Sequence, residues 1–168
     1  KVVLNALDGE LFKTLERRDA PKAALDQIAR VHDKEYVERV LSTITDRGHG
    51  SLDGDTHFST NSDEAALRAA GAVCSAVDNV MSGVARNAFC AVRPPGHHAE
   101  RATAMGFCFF NNVAIGATHA REAHNLDRVA VVDFDVHHGN GTQAMFWNQE
   151  GLIFCSTHQS ALYPGTGD

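Results

Sequence analysis

The run Val129-Ala130-Val131-Val132 passes without a break into Asp133-Phe134-Asp135-Val136-His137-His138-Gly139-Asn140-Gly141, and no other segment restricts the fold as much. A short apolar run bounded by polar residues reads as a buried strand, and near-continuous apolar strands belong to parallel sheets covered by helices. If the strand continues through the junction, period-two alternation puts Asp133, Asp135 and His137 on one face. They would then sit at the carboxyl end of the strand, where open parallel sheets form their ligand crevices. Two carboxylates and an imidazole at one spot match a metal-binding donor set. The alternative is a plain strand end entering a Gly-rich loop, since Asp, His, Gly and Asn are ordinary loop formers. Burying ionisable groups without partners costs several kcal/mol, and a bound cation removes that cost.

The rest of the chain alternates helical and strand-like patterns. Residues 21–45 carry helical spacing, with Leu25, Ile28 and Ala29 followed by Tyr36, Val37, Val40 and Leu41, as two short helices meeting near His32 and Asp33. Residues 46–61 have loop composition, and Asn61 with Glu64 three residues on has the spacing of a capped helix start. The helix that follows has a stripe of Ala66, Ala69, Ala70, Val73, Val77, Val80 and Met81, and Gly83 ends it. Residues 88–92 read as a strand, 93–106 as a Pro/Gly loop, 108–124 as a helix, 129–132 as a strand, 142–147 as a short helix and 152–155 as a third strand. This β-α-β-α-β order predicts an α/β protein whose parallel sheet has helices on both faces. There is no internal repeat or linker.

With 168 residues, 43% hydrophobic and 7% aromatic, the chain is sized for one globular domain. Its apolar runs fall short of the ~20 residues of a membrane helix, and it opens without a signal-peptide core, so it reads as cytoplasmic with no membrane partner. Cys74, Cys90, Cys108 and Cys155 form no CxxC pair and read as buried thiols. A net charge of -6 with dispersed Lys and Arg offers no basic stripe to nucleic acid. It is compatible with a cationic or lysine-bearing substrate. No GxGxxG follows a strand, which sets aside a dinucleotide-binding domain.

A second cluster, Arg93-Pro94-Pro95-Gly96-His97-His98-Ala99-Glu100, follows the first predicted strand. Proline locks φ, so the two imidazoles can be held in place at little entropic cost. Taken alone, a His-His pair is weak evidence. Beside the Asp133–Gly141 segment it completes the equipment for metal-assisted hydrolysis: the metal polarises a carbonyl and acidifies water, one histidine takes a proton and one returns it to a leaving amine. Asp133 would orient one imidazole and Asn140 the other.

Those two segments, with Gly106-Phe107-Cys108-Phe109-Phe110-Asn111-Asn112 between them, closely resemble the zinc-dependent histone deacetylase and acetylpolyamine amidohydrolase superfamily. The resemblance runs from about Ala29 to the last residue. It implies an arginase/deacetylase-like α/β fold, a three-layer sandwich with a parallel sheet. By position it makes Asp135 and His137 zinc ligands, and makes His97, His98, Asp133 and Asn140 the catalytic set. Gly106, Phe107 and Tyr163 would line an acyl-lysine tunnel, and Asp55 matches a rim aspartate that holds substrate backbone. A monovalent cation, K+, would involve Asp133, Asp135, His137, Ser156 and Thr157; Ser156 is equally a plain strand-end hydroxyl. Pro94-Pro95 and Asn140 resemble the class II type, including bacterial deacetylase-like proteins. Arginases place a further aspartate where Gly139 stands, so one Zn2+ per domain is implied rather than a metal pair.

Family catalytic domains are longer, so residues 1–168 read as the N-terminal part of a single deacetylase-like catalytic domain, an incomplete sandwich. A second aspartate ligand and an oxyanion-stabilising tyrosine are expected from later sequence. A catalytic zinc takes three protein ligands plus water, and two are placed here. The expected function is a zinc-dependent hydrolase that removes acetyl or other acyl groups from lysine side chains, in peptides or proteins, or from small acetylated amines. The alternative is a noncatalytic fragment that binds metal or acyl-lysine. Oligomeric state is left open.

Overall fold

In chain order the computed structural model, which describes residues 2–168, has α1 (Val2–Leu7), a 3-10 turn (Glu10–Phe12), α2 (Leu25–Ala29) and α3 (Lys34–Arg47). A minimal antiparallel pair follows, β1 (Gly50–Ser51) and β2 (His57–Phe58), then α4 (Ser62–Met81), α5 (Asn112–His124), β3 (Val129–Asp133), α6 (Asn140–Phe146) and β4 (Leu152–Ser156). The frame is the α4–α5 pair. The buried stripe of α4 is Ala66, Ala69, Ala70, Gly71 and Cys74, and side chains this small let neighbouring backbones close in. A Cβ on Gly71 would collide with the Pro21 carbonyl, and one on Gly116 of α5 with Val73 of α4. Val80 and Met81, expected in the stripe, are exposed because the 20-residue α4 outruns the 13-residue α5.

Ile28, Ile44, Phe110 and Ile115 are fully buried between these helices, each burial stabilising by about 1.5–3 kcal/mol. The helix start expected from Asn61 and Glu64 takes another form. Asn61 sits in the left-handed region with no side-chain cap bond, and Glu64 pairs instead with Arg68 at 2.9 Å and Lys22 at 3.2 Å.

β3 and β4 are parallel, in register from Val129 opposite Leu152 to Asp133 opposite Ser156. Val129, Val131, Leu152 and Phe154 pack on the helical core. Their alternating neighbours do not: Val132 is 67% and Ile153 55% exposed. The expected sheet with helices on both faces is therefore covered on one face only among the described residues, and the strands alternate instead of being buried throughout. Residues 88–92, expected as a strand, form none; Phe89 is 71% exposed, and the backbone bond recorded there is the local Val92 N–H to Cys90 O. An apolar run becomes a strand only when a neighbour takes up its backbone groups, and this run has none among the described residues.

The helix expected over 108–124 starts four residues later. Met105 and Cys108 exchange both backbone hydrogen bonds in a tight bridge, and Asn111 then caps α5 by accepting from Ala114 N–H at 3.0 Å. Of the four thiols expected to be buried, Cys74 and Cys108 are, Cys90 is half-buried and Cys155 is exposed on the open sheet face.

Candidate active site

Burial of polar side chains builds the loops around the site. Tyr36 of α3 donates its hydroxyl to Phe109 O at 2.6 Å. His32 accepts from Asn111 N–H at 2.9 Å through Nε2, and its Nδ1 donates to Arg101 O at 3.1 Å. Asn112 donates to Pro94 O, and Asn111 to Ala99 O. These bonds fasten both sides of the 93–112 segment to the helical frame.

His97 and His98 emerge from that segment with ring centroids 4.0 Å apart. His97 Nδ1 donates to Asp133 Oδ2 at 2.9 Å, and His98 Nδ1 donates to Asn140 Oδ1 at 2.8 Å. Neither acceptor carries a proton there, so Nε2 is the nitrogen of each ring that these bonds leave free. Burial pushes the His98 imidazole down, chiefly by desolvation, with the neighbouring His97 and His137 rings adding to it and the Asn140 bond opposing. For Asp133, burial opposes ionisation, but the bonds from His97 and from Asp135 N–H outweigh it and hold the carboxyl below its ordinary range. The close approach depends on glycine: a Cβ on Gly106, which has φ +57°, would strike the His98 ring.

Asp135 and His137 come together differently from the strand alternation expected. β3 stops at Asp133, and the chain turns as Asp133 Oδ1 accepts from Asp135 N–H at 3.0 Å and Asp135 Oδ1 from His137 N–H at 2.8 Å. These consecutive Asp turns leave Asp135 Oδ1 and His137 Nδ1 3.2 Å apart. Two donors about 2.1 Å from a tetrahedral zinc are about 3.4 Å apart, so the pair fits one edge of such a site. Asp133 is turned away to His97 and is not part of the pair.

Tyr163 meets the His98 ring edge-on at 5.0 Å and the His137 ring at 6.1 Å. Burial pushes its hydroxyl up to about 12. Phe107 is exposed with φ +67°, held by its N–H to Thr56 Oγ1. Asp55 supports this loop from within, accepting from Gly106 N–H at 3.1 Å and from Thr56 Oγ1 at 3.1 Å. Ser156 pairs in register beside Asp133 with its hydroxyl on His158, and Thr157 donates its N–H to Asp133 O. Two contributors lacked a role in the sequence reading. Glu100 accepts from Asn140 Nδ2, and the buried His138 bonds Gln143 and Thr166. Both stand inside the motifs, next to the histidines and carboxylates whose types carry the signal.

Among the described residues, Asp78, His119 and His124 bring three donor atoms within reach of one ion, at the α4–α5 contact and not at the expected site. His119 and His124 both donate to Asp78 Oδ1 at 2.7 Å. Burial opposes ionisation of Asp78, and these bonds outweigh it and hold its carboxyl below the ordinary range. Arg30 donates into His119 Nδ1 at 2.9 Å, which places the ring proton on Nε2. A metal on Nε2 would force that proton onto Nδ1, against the guanidinium, so this group is a hydrogen-bonded clasp between helices.

Fold and site together define an α/β protein of the arginase- and deacetylase-like class, with a paired-histidine centre at the carboxyl end of a parallel strand. The histone deacetylase domain family matches residues 1–168, and the chain belongs to the histone deacetylase and acetylpolyamine amidohydrolase superfamily. It is 43% identical to a histone deacetylase-like amidohydrolase of Pseudomonas aeruginosa over 92% of its own length and 40% of that protein's. It is 42% identical to a probable deacetylase of Archaeoglobus fulgidus over 87% of this chain and 40% of that one. The chain thus spans about two fifths of these relatives. The crystal structure of the HDA15 HD domain superposes with a TM-score of 0.91 at 34% identity, covering 99% of this chain and 49% of that one. No helix among the described residues is long and apolar enough to cross a membrane.

Proposed function

We propose that the protein carrying this chain is a zinc-dependent amide hydrolase that removes acetyl or related acyl groups from lysine side chains or small acetylated amines. The observation that carries the reading is the pair of Nε2 atoms left free on His97 and His98, with the His98 ring 6.0 Å from the His137 ring of the Asp135–His137 donor edge. Asp135 and His137 would hold the metal, with a further carboxylate ligand and an oxyanion-stabilising tyrosine from other sequence. When bound there, zinc supplies Lewis acidity toward the acyl carbonyl and lowers the pKa of water.

The chain's own residues do the rest. His98, kept neutral by burial, accepts the proton of the attacking water at Nε2, with Asn140 holding its Nδ1–H. His97, held through Nδ1–H on the Asp133 carboxylate, takes up a proton from solvent at Nε2 and delivers it to the leaving amine, while the proton that His98 took from the water passes back to solvent. Phe107 and Tyr163 offer apolar walls to the alkyl chain of an acyl-lysine and keep water from the leaving group. A K+ ion near Asp133 and Ser156 belongs to the same proposal.

The test is turnover of a fluorogenic acetyl-lysine peptide by the natural protein, with His98→Ala and Asp135→Ala variants. Expected are zinc-dependent hydrolysis and its loss in both variants; wild-type turnover by either variant at saturating zinc overturns the reading. Tight binding of a hydroxamate without any hydrolysis would instead mark a binding module.

A further inference from the structure

The amide of Asn140 stands between His98 and Glu100. Its Oδ1 accepts from His98 Nδ1–H at 2.8 Å, and its Nδ2 donates to Glu100 Oε1 at 2.9 Å. His98 O and Met105 Sδ, each 3.4 Å from Nδ2, are acceptors as well. A primary amide is nearly symmetric in shape, and exchanging its ends costs little by itself. Exchanged, Asn140 would present a donor to His98 Nδ1 and push the ring proton to Nε2. The difference from His97 is plain: its partner Asp133 is a carboxylate, which accepts at both oxygens and needs no orienting.

We propose that Glu100 is a positioning residue that sets the tautomer of His98 through Asn140, an inference that rests on the proton-transfer role assigned to His98 above. An ionised carboxylate only accepts, so turning Asn140 Oδ1 toward Glu100 Oε1 would set two acceptors against each other. Glu100 therefore keeps Nδ2 on its own side and Oδ1 on the histidine. His98 is left with its proton on Nδ1 and its lone pair on Nε2, facing the reaction space. No basic side chain is paired with Glu100 among the described residues, so the carboxylate is free for this use.

The experiment is long-range proton–nitrogen correlation NMR of the natural protein labelled with 15N-histidine. His98 is assigned by the signal lost in His98→Gln, and kcat and KM are measured in parallel. The wild type is expected to carry the His98 proton on Nδ1. Glu100→Gln, which keeps an acceptor oxygen, is expected to retain that tautomer with kcat within about threefold of the wild type. Glu100→Lys presents a donor instead; the His98 proton is expected on Nε2, with kcat down at least about tenfold and KM little changed. Adding Asn140→Asp to Glu100→Lys restores a group that accepts from both sides, and should return the proton to Nδ1 and recover kcat at least about fivefold.

A folded Glu100→Lys protein whose His98 proton stays on Nδ1 overturns the proposal. Should that variant not fold, Glu100→Ala takes its place: a mixture of tautomers supports the proposal and a pure Nδ1–H form overturns it. The tautomer is read without turnover. If no protein in the series hydrolyses an acyl amide, the proposed function fails while the NMR result still decides the role of Glu100.

Discussion

His97 Nδ1 lies 2.9 Å from Asp133 Oδ2, joining the 93–100 loop to the last residue of β3. Gly139 makes room for the contact: a Cβ there would collide with Asp133 Oδ2 and come within 3.1 Å of His97 Nδ1. Gly139→Ala is therefore expected to push the carboxylate off the imidazole. Misplacing a catalytic group by about 1 Å costs about 10²-fold in rate, and overpacking costs about 1–3 kcal/mol in stability. Steady-state kinetics and denaturant titration read both; a variant with wild-type kcat would show that the contact is dispensable.

The Asp135–His137 pair and the Asp78–His119–His124 group make opposite predictions about metal content. Asp135→Ala or His137→Ala should reduce bound zinc in the natural protein from about one per chain to a small fraction, since removing one ligand disables a three-ligand site. Asp78→Asn should leave zinc unchanged and loosen the α4–α5 contact, because it exchanges the charged acceptor shared by two histidines for a neutral amide oxygen. Elemental analysis after dialysis separates the two. Zinc lost from Asp78→Asn alone would move the metal to the helical clasp.

How much of this was legible in the sequence varies from one segment to the next. Asp133 through Gly141 stood out because it sets ionisable residue types at fixed spacing after an apolar run, and the structure pairs His97 with Asp133 and His98 with Asn140 as expected. Residues 88–92 misled, because apolar composition is local while strand formation needs a partner. The open face of β3 and β4 was hidden for the same reason: Val132 and Ile153 look like core until the layer beside them is known. Glu100 went unread because the act of bonding Asn140 across 40 residues has no signature in spacing.

Tyr36 tests how the loops are fastened. Its hydroxyl is the donor that reaches the buried Phe109 carbonyl, at 2.6 Å, and burial raises its pKa well above the ordinary value, so it stays a donor at any physiological pH. Tyr36→Phe keeps the ring stacked on His32 and leaves that carbonyl without the bond. An unsatisfied buried acceptor costs about 1–3 kcal/mol. Equilibrium unfolding of the variant should show a loss in that range; an unchanged midpoint would mean that the loop closes without this bond.

His32 gives stability a pH dependence of known sign. Burial pushes its imidazole from 6.5 down to about 4, against the raising pull of the Arg101 and Glu100 backbone. The geometry agrees, since Nε2 must accept from Asn111 N–H and cannot also carry a proton. Above pH 6.5 the ring is neutral in the folded and unfolded chain alike, and His32 adds no pH dependence. Between 6.5 and about 4 the unfolded chain takes up a proton that the folded one refuses, so stability falls as pH falls. Below about 4 both states are protonated and the loss is complete, at about 3 kcal/mol from 1.36 kcal/mol per unit. In His32→Gln the amide can still accept from Asn111 and donate to Arg101, but it does not titrate. Urea titrations at a series of pH values should therefore give the variant a flatter profile between pH 6.5 and 4, whatever its stability at pH 8, with the other titrating groups cancelling in the comparison. Identical slopes for the two proteins would mean that His32 is protonated in the fold and that the Asn111 bond is not what holds it.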